Sequence, residues 1–277
     1  MKKNLRYYIK DKLTKKELEL VPSSFDVVGD ILIFSDFPEE LAKKEKIIGS
    51  VILENYPHVK TILKKTKKYS GKFRTPKLKF IAGDEKKETL HKENEVVLRL
   101  NVEKVYFSPR MSSERKRITE LIKPNESVLV MFSGCAPYPL VIAKNTKCKE
   151  VYGIEINPIA HKYALGNIKK NKLDNKIKIF LGDVEKVLPK LNKKFDRILM
   201  PLPKGGENFL DLALKYTKKG GFVHFYDFLH ENEFYNAEEK VKTACNSLKK
   251  KCRIIRTVKC GQYSPRFYRV CVDFFVD

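Results

Sequence analysis

Short apolar segments alternate with segments of helical periodicity after Pro124, and this alternation most constrains the fold of the chain. The apolar segments are nearly continuous, which is typical of parallel strands buried on both faces of a sheet. Strands separated by helices indicate an α/β layer architecture, and the last two segments predict an antiparallel hairpin. The predicted strands cover residues 128–132, 150–154, 177–181, 195–200, 221–228, 253–258 and 267–275.

The chain before Pro124 follows a different pattern. Its first residues are highly charged and predict a short helix or an arm, and the segment after them predicts a small α/β domain. In that domain we expect a strand over 27–34 that bends at Gly29, and a helix over 38–55. The predicted organisation is an arm, a small α/β domain, a connecting helix and a larger α/β domain, over residues 1–20, 21–105, 106–123 and 124–277.

The formal net charge of +23, from 57 Lys and Arg residues against 34 Asp and Glu residues, predicts a polyanionic partner. A charge excess of this size repels itself unless phosphates compensate it, so we favour nucleic acid. A lysine-rich surface adapted to a hot or low-salt habitat is the alternative.

One basic strip is a candidate for contact with that nucleic acid. No acidic residue occurs between Asn55 and Gly83, and Tyr69 and Phe73 lie among the basic residues of this segment. Basic residues interleaved with aromatic ones suit phosphate contact and base stacking, while a solvated loop has the same composition. The strip includes Lys64, Lys65, Lys67, Lys68, Lys72 and Arg74.

The six cysteines include no CxxC pair, so we expect no zinc site and no other metal. A basic chain without a secretory signal is expected in the cytoplasm with its thiols reduced. The most apolar stretch, residues 128–143, is interrupted by glycine and proline and is too short to cross a membrane. We therefore expect a cytoplasmic protein without a membrane partner.

Four predicted strands end in residues that suit a cofactor, because ligands of a doubly wound sheet bind outside the carboxyl ends of its strands. Gly134 follows the first strand and lets the backbone approach a ligand closely. Glu155 ends the second strand, where a carboxylate can accept both ribose hydroxyls. Asp183 follows the third, within reach of an adenine amino group, and Pro201 follows the fourth, beside the expected reactive group.

Each of these features also has a plainer interpretation. A glycine after a strand is often only a turn, and an acid there is often a helix cap. Together and in this order they predict an adenosyl cofactor. The rival, a dinucleotide dehydrogenase, needs a GxGxxG motif that the chain lacks.

Seven short motifs make the chain resemble one family. They are VYFSPR, SER, GIEINP and LPK at residues 105–110, 113–115, 153–158 and 202–204, and SSFDVVGD, GKFRT and HKEN at residues 23–30, 71–75 and 91–94. From about residue 15 onward the chain resembles the archaeal and eukaryotic tRNA guanosine-37 N1-methyltransferases, relatives of the wybutosine-pathway aminocarboxypropyltransferases. The resemblance implies a Rossmann-like class I S-adenosylmethionine-dependent methyltransferase domain preceded by a small α/β domain.

The resemblance also implies catalytic roles. Glu114 matches the family's general base for guanine N1, and Arg74 matches the residue that stabilises negative charge on guanine O6. Guanine N1 carries a proton that a carboxylate must remove, and a permanently charged guanidinium suits the resulting anion. The plainer interpretation of Glu114 and Arg115 is a solvated charge pair on the connecting helix.

Further residues match binding positions of the family. Tyr106 lies where the family holds the target base, and Arg110 and Arg115 lie where it contacts the anticodon strand or orients the site. The implied substrate contacts are Tyr106, Arg110, Pro203 and Lys204. The implied cofactor contacts are Arg115, Gly134, Glu155, Ile156, Asp183, Val184 and Pro201, of which Pro201 also belongs to the catalytic motif.

Three residues depart from the family's pattern. Val130 replaces an acid, and without that acid we expect the loss of a water-mediated contact of about 1 kcal/mol. Ala136 replaces a glycine and is expected to tighten the fit around the methionine moiety. Pro201 replaces an asparagine and offers no side-chain hydrogen bond to a base. We also see no room for the small domain with which many members check the tRNA elbow, so looser checking of tRNA shape is expected.

The expected function is S-adenosylmethionine-dependent N1-methylation of guanosine 37 in tRNA, by a monomer that contacts the anticodon stem-loop and needs no protein partner. One alternative is methyl or aminocarboxypropyl transfer to a wyosine-type tricyclic guanosine at the same position. The LPK motif favours the methyltransferase branch, because the aminocarboxypropyltransferases usually carry Gly-Tyr there. A second alternative, suggested by Val130, Ala136 and Pro201, is a tRNA-binding protein with a decayed cofactor pocket.

Overall fold

The computed structural model describes residues 4–202 and 204–277, and at 68–70 it describes the backbone alone. Three predicted residues are therefore outside the described part: Pro203, and the side chains of Lys68 and Tyr69. Within the described ranges, no helix combines the length and the apolar character that crossing a bilayer requires.

The chain forms two compact units. The first comprises residues 4–92 and Val97–Pro109, and the second comprises Glu93–Val96 and Arg110–Asp277. Each unit has its own hydrophobic core, and the core of the first gathers α-helical and strand residues such as Ile48, Leu32 and Ile62.

Residues 4–101 form short helices, a four-stranded sheet and a separate strand pair. The strands are β1 (Asp26–Val28), β2 (Ile31–Phe34), β3 (Thr61–Ser70), β4 (Thr75–Gly83), β5 (Glu88–Glu93) and β6 (Val96–Asn101). The first four form a sheet in chain order, in which β2 and β3 are parallel and the other neighbours antiparallel, and β5 pairs with β6. The α-helices are α1 (Leu5–Ile9), α2 (Lys15–Leu20) and α3 (Glu45–Asn55).

The prediction of a single strand over 27–34 is wrong, because the chain reverses at Gly29 and Asp30 to form the antiparallel pair β1–β2. Gly29 has a φ of +58°, and a Cβ on it would lie 2.1 Å from Oγ1 of Thr89. Its N–H donates to Nδ1 of His91 at 3.1 Å. The close approach of a second segment explains why only glycine fits there.

The second unit contains a seven-stranded sheet in the order β12-β13-β11-β10-β7-β8-β9. Its strands are β7 (Ser127–Met131), β8 (Glu150–Glu155), β9 (Ile177–Leu181), β10 (Phe195–Met200), β11 (Thr217–His230), β12 (Cys252–Ser264) and β13 (Phe267–Val276). Strands β7 to β11 run parallel to their neighbours among themselves, and β13 is antiparallel to both β11 and β12. This topology confirms the predicted doubly wound sheet that ends in a hairpin.

Helices connect these strands and cover the sheet. They are α4 (Ser112–Leu121), α5 (Pro137–Asn145), α6 (Pro158–Lys170), α7 (Val184–Val187), α8 (Leu210–Tyr216) and α9 (Tyr235–Ser247). The start of α6 shows how the sequence sets these boundaries, because the Asn157 side chain accepts from the N–H of Ile159 and Pro158 occupies the first helical position.

A disulfide bond between Cys245 and Cys252 corrects the expectation that all thiols are reduced. Cys245 lies in the last turn of α9 and Cys252 begins β12, so the short connection brings their Cα atoms to 6.3 Å. That separation is within the usual range for a disulfide. The other four cysteines are free and buried.

Candidate active site

Glu155 ends β8 and fixes the turn that follows the neighbouring strand β7. Its Oε2 accepts a hydrogen bond from the N–H of Gly134 at 2.6 Å, and its Oε1 accepts one from the N–H of Asn157 at 2.8 Å. Burial raises the pKa of this carboxyl group, although the backbone N–H groups oppose the shift. The structure therefore brings Glu155, the residue predicted to bind the ribose, into contact with the predicted turn at Gly134.

The turn over 132–136 has an unusual backbone. Phe132, Gly134 and Ala136 have φ values of +63°, +56° and +70°, so two residues that carry a Cβ adopt the left-handed region. This region costs about 1–2 kcal/mol for such residues, and strain of this kind is concentrated at functional sites. Oγ of Ser133 is buried in the turn and has no hydrogen-bond partner among the described residues. These features favour a ligand-binding turn over a simple reversal of the chain.

Gly182 and Asp183 follow β9 on the other side of Glu155. The N–H of Gly182 donates to the backbone oxygen of Glu155 at 2.8 Å. Oδ1 of Asp183 accepts from the N–H of Glu185 at 3.0 Å, so this acid caps α7, as the plainer interpretation holds. It remains half-exposed, which leaves it accessible to a ligand as well. Ile156 is half-buried after Glu155, and Val184 is buried.

The fourth strand end carries the proline-rich motif. Pro201 is half-buried directly after β10, and the N–H of Leu202 donates to the backbone oxygen of Met200 at 2.7 Å. This local hydrogen bond makes a tight turn at the strand end. Pro203 is outside the described residues, and Lys204 is exposed.

Glu114 lies in the first turn of α4 and is only 3% exposed, so it is not the solvated residue of the plainer interpretation. Its carboxylate accepts from Nε and one terminal nitrogen of Arg117, at 2.6 and 2.7 Å, and from the hydroxyl of Tyr226 at 2.7 Å. A carboxylate has about four acceptor positions, so these bonds leave one, on Oε2. The geometry suits a carboxylate that is held rigidly and takes up one further proton.

Two tyrosines link Glu114 to the helix that follows the Gly134 turn. The hydroxyl of Tyr226 on β11 lies 3.0 Å from the hydroxyl of Tyr138, in the first turn of α5. Burial raises the pKa of both phenols well above the ordinary value. Tyr226 therefore keeps its proton, and its hydroxyl donates a hydrogen bond to Glu114. This chain of hydroxyls ties the predicted base to the same edge of the sheet as Glu155.

Arg115 has a partner that its sequence position does not suggest. Its guanidinium forms a two-pronged ion pair with Glu93, at 2.5 and 2.6 Å, and both side chains are 3% exposed. It also lies 5.8 Å from the centre of the Tyr138 ring. This ion pair holds Arg115, and with it α4, in place. Arg110, the other arginine predicted to contact the anticodon strand or orient the site, is exposed.

A buried polar network anchors α4 to the sheet, and sequence reasoning missed it. Arg117 also pairs with the Asp273 carboxylate on β13, which accepts a hydrogen bond from Nδ1 of His224 at 2.6 Å. Nε2 of His224 lies 2.8 Å from a terminal nitrogen of Arg197. Arginine only donates, so Nε2 must accept, and His224 is neutral with its proton on Nδ1.

The pKa values of this network follow from its geometry. Burial and the nearby guanidinium groups lower the pKa of His224, although Asp273 opposes the shift. Burial alone would raise the pKa of Asp273, but His224 and Arg117 hold it well below its ordinary value. His224 and Tyr226 lie two residues apart in β11, within and just after the otherwise apolar segment 222–225, and two polar groups on one face of a buried strand were the sequence signal that could have identified them.

The remaining predicted residues belong to the first unit. Arg74 is half-buried in the turn between β3 and β4, with a φ of +50°, and Tyr106 is half-buried between two buried neighbours. Of the predicted basic strip, Lys67 and Lys72 are exposed. Lys64 is a correction, because it is 5% exposed and pairs with Glu45 at 2.6 Å rather than facing solvent.

The sheet order, the acid that ends β8 and the strained turn after β7 define the second unit as a class I methyltransferase domain. The chain belongs to the TRM5/TYW2 methyltransferase family: residues 89–255 match the TRM5/TYW2 methyltransferase domain, and residues 5–86 match the TYW2 N-terminal domain. The resemblance carried by the seven motifs is thereby confirmed.

Individual relatives cover most of the chain. The tRNA (guanine(37)-N(1))-methyltransferase Trm5b of Pyrococcus abyssi is 38% identical over 257 residues, which are 92% of this chain and 76% of the relative. The tRNA (guanine(37)-N(1))/4-demethylwyosine(37)-methyltransferase Taw22 of Nanoarchaeum equitans is 35% identical over 91% of this chain and 99% of its own length. The solved complex of aTrm5 and tRNALeu superimposes with a TM-score of 0.88 at 33% identity, covering 100% of this chain and 79% of that one.

Proposed function

We propose that the protein transfers a methyl group from S-adenosylmethionine to N1 of guanosine 37 in tRNA. The observation that carries this proposal is the position of Glu114. Its carboxylate is tied through Tyr226 and Tyr138 to the helix that follows the Gly134 turn. A proton acceptor held beside a nucleoside-binding strand edge is what alkylation of a protonated ring nitrogen requires.

The residues present fit the proposed cofactor. The Glu155 carboxylate suits the ribose diol, the Asp183 carboxylate suits the adenine amino group, and the Ser133 hydroxyl, unpaired among the described residues, can take a polar partner. When bound, S-adenosylmethionine supplies an electrophilic methyl carbon. These fits argue against the alternative of a decayed pocket. Val130, which replaces the acid usual in the family, is a buried residue of the central strand β7.

The chain's own groups account for the proton. In the proposed step the N1–H bond of guanine breaks and the proton moves to the remaining acceptor position on Oε2 of Glu114. Arg117 and Tyr226 keep the carboxylate oriented through charge-assisted hydrogen bonds. Arg74 is proposed for the charge on guanine O6 on the strength of the GKFRT motif alone. We further propose that the enzyme acts as a cytoplasmic monomer.

A tricyclic guanosine derivative is the second candidate substrate. It is favoured by Pro201, because a residue without a side-chain hydrogen bond does not discriminate guanine from a modified base. The name of the Nanoarchaeum equitans relative includes both guanine and 4-demethylwyosine. Methyl transfer leaves S-adenosylhomocysteine, whereas aminocarboxypropyl transfer leaves methylthioadenosine, so the co-product separates the two chemistries.

Nucleoside mass spectrometry of treated tRNA tests the proposal. Unmodified transcripts with guanosine at position 37 are incubated with protein and cofactor, and matched transcripts with adenosine there serve as the control. We expect 1-methylguanosine from the first set only, with S-adenosylhomocysteine as co-product. Activity confined to tRNA that carries 4-demethylwyosine would replace the first candidate with the second. Methylation at a different tRNA position would remove both.

A further inference from the structure

The hairpin end of the large sheet carries aromatic side chains on the face that also carries Tyr226. Phe228 and His230 follow Tyr226 at two-residue intervals along β11, and residues at this interval lie on one face of a strand. Across the sheet, Phe228 is in register with Arg269 and His230 is in register with Phe267. One face of the sheet therefore continues from Tyr226, which contacts the proposed general base Glu114, toward the hairpin end of the sheet.

These side chains form two groups of contacts, one around Phe228 and one at His230. The ring centre of Phe228 is 4.5 Å from that of Tyr263 and 4.9 Å from the guanidinium carbon of Arg269. The ring centres of His230 and Phe267 are 5.4 Å apart. We refer to Phe228, His230, Tyr263, Phe267 and Arg269 as the aromatic strip.

The outer part of the aromatic strip is open to solvent. Tyr263 is 59% exposed and Phe267 is 43% exposed. Each of these rings packs on a ring of β11 and leaves part of its surface open, so it can stack on a flat ligand. Arg266, in the turn between them, has a side chain that is 75% exposed and lies 3.8 Å from Glu231. Flat rings beside guanidinium groups suit a ligand that has both aromatic faces and phosphates.

The inner end of the aromatic strip lies next to the proposed catalytic base. Tyr226, which donates to Glu114, precedes Phe228 by two residues, and the four steps along the strand from Tyr226 to His230 span about 13 Å. A nucleic-acid strand whose reacting base reaches Glu114 can therefore lay its neighbouring nucleotides along the strip. The seven family motifs include no residue of the strip.

We infer that the aromatic strip is an RNA-binding surface on which nucleotides that flank the target guanosine stack, with Arg266 and Arg269 near their phosphates. This inference rests on the proposed function, because it places the target base at Glu114. Every base has a π face, so the strip adds affinity with little dependence on the flanking sequence. The net charge of +23 gives long-range attraction to the same partner.

Substitution of Tyr263 tests the inference, because a mostly exposed side chain can be changed without disturbing the core. Tyr263→Ala is expected to raise the tRNA concentration at half-maximal single-turnover rate about tenfold, with the saturated rate and the cofactor affinity unchanged. Tyr263→Phe keeps the ring and is expected to behave like the wild type. Phe267→Ala is expected to repeat the effect of Tyr263→Ala. The control is Ile255→Ala, which removes a 47% exposed apolar residue elsewhere on β12.

Binding measurements separate this inference from the proposed function. Fluorescence anisotropy with an anticodon stem-loop RNA reports affinity without chemistry, and Tyr263→Ala is expected to weaken it by the same factor. If the wild-type protein methylates tRNA, and Tyr263→Ala and Phe267→Ala bind the stem-loop RNA as tightly as the wild type does, the inference about the aromatic strip is overturned and the proposed function is not. A wild-type protein that methylates no tRNA but loses RNA affinity in both variants overturns the proposed function and keeps the RNA-binding surface.

Discussion

The hydroxyl of Tyr226 donates to Oε1 of Glu114 at 2.7 Å, although the two residues are 112 positions apart in the chain. Tyr226 belongs to the central part of β11, and Glu114 to the first turn of α4. Through this contact the buried strand β11 orients the Glu114 carboxylate on α4. The contact also explains how a charged residue on a short connecting helix stays in one position, as the role proposed for Glu114 requires.

Glu114→Gln is expected to slow methyl transfer in a single turnover by about 10²-fold or more, because an amide cannot accept the N1 proton. Cofactor affinity, measured by calorimetry, should stay at the wild-type value, because the Glu114 carboxylate bonds to Arg117 and Tyr226 rather than to the strand ends proposed for the cofactor. Glu120→Gln is the matched control, an exposed glutamate on the same helix. Equal rates for Glu114→Gln and the control would show that another group removes the proton.

Tyr226→Phe removes the donor and keeps the ring. A hydrogen bond to a charged group contributes about 1.5–3 kcal/mol, so we expect a single-turnover rate that is lower by at least tenfold. The half-saturating tRNA concentration should not change, because the hydroxyl points at Glu114 rather than at the RNA. In the double variant with Glu114→Gln, the second substitution should have little further effect. Full additivity of the two losses would mean that Tyr226 acts independently of Glu114.

Glu155→Gln is expected to weaken binding of S-adenosylmethionine by at least tenfold, since a neutral amide replaces the charged acceptor proposed for the ribose diol. The Oε1 and Oε2 contacts with Asn157 and Gly134 also depend on two acceptors, and the amide supplies one. Glu185→Gln, an exposed position after Asp183, is the control. Calorimetry measures both variants, and unchanged binding heat and affinity for Glu155→Gln would place the cofactor elsewhere.

The sequence predicts those features of the fold and the site that depend on the local pattern of apolar and polar residues. Continuous apolar segments identify the parallel strands, and a doubly wound sheet puts the residues after them at one edge, so the sequence alone suffices to group Glu155, Gly134 and Asp183. The partners of buried charges could not be predicted in this way, because they depend on distant pairing. Glu93 for Arg115 is an example, since nothing in either segment alone indicates that they meet in the interior.

Local pattern also misleads where a side chain's direction depends on its neighbours. Lys64 belongs to a run of lysines that reads as a solvent-facing strip, yet strand alternation turns it inward to Glu45. The strand expected to bend at Gly29 reverses instead, because Thr89 and His91 approach from a segment about 60 residues away in sequence. The disulfide of Cys245 and Cys252 likewise requires the geometry of a helix end and a strand start.

The neutral state of His224 predicts how stability depends on pH. Its pKa is lowered from 6.5 in the folded protein, so below about pH 6.5 the unfolded chain binds a proton that the folded protein does not. This contribution to stability is therefore present above pH 6.5 and lost as the pH falls. For one group that stays neutral in the fold, the loss between pH 7.5 and 5.5 is about 1.4 kcal/mol.

His224→Asn should remove that part of the pH dependence while lowering stability at every pH. Denaturant unfolding at pH 7.5 and 5.5 measures the difference for wild type and variant. Arg117 and Arg256 still pair with the Asp273 carboxylate in the variant, so we expect Asp273 to stay ionised across this range. His58→Asn, which replaces an exposed histidine, should keep the wild-type difference. An unchanged difference in His224→Asn would mean that the pKa of His224 is the same in the folded and unfolded protein, so that the fold does not keep this ring neutral.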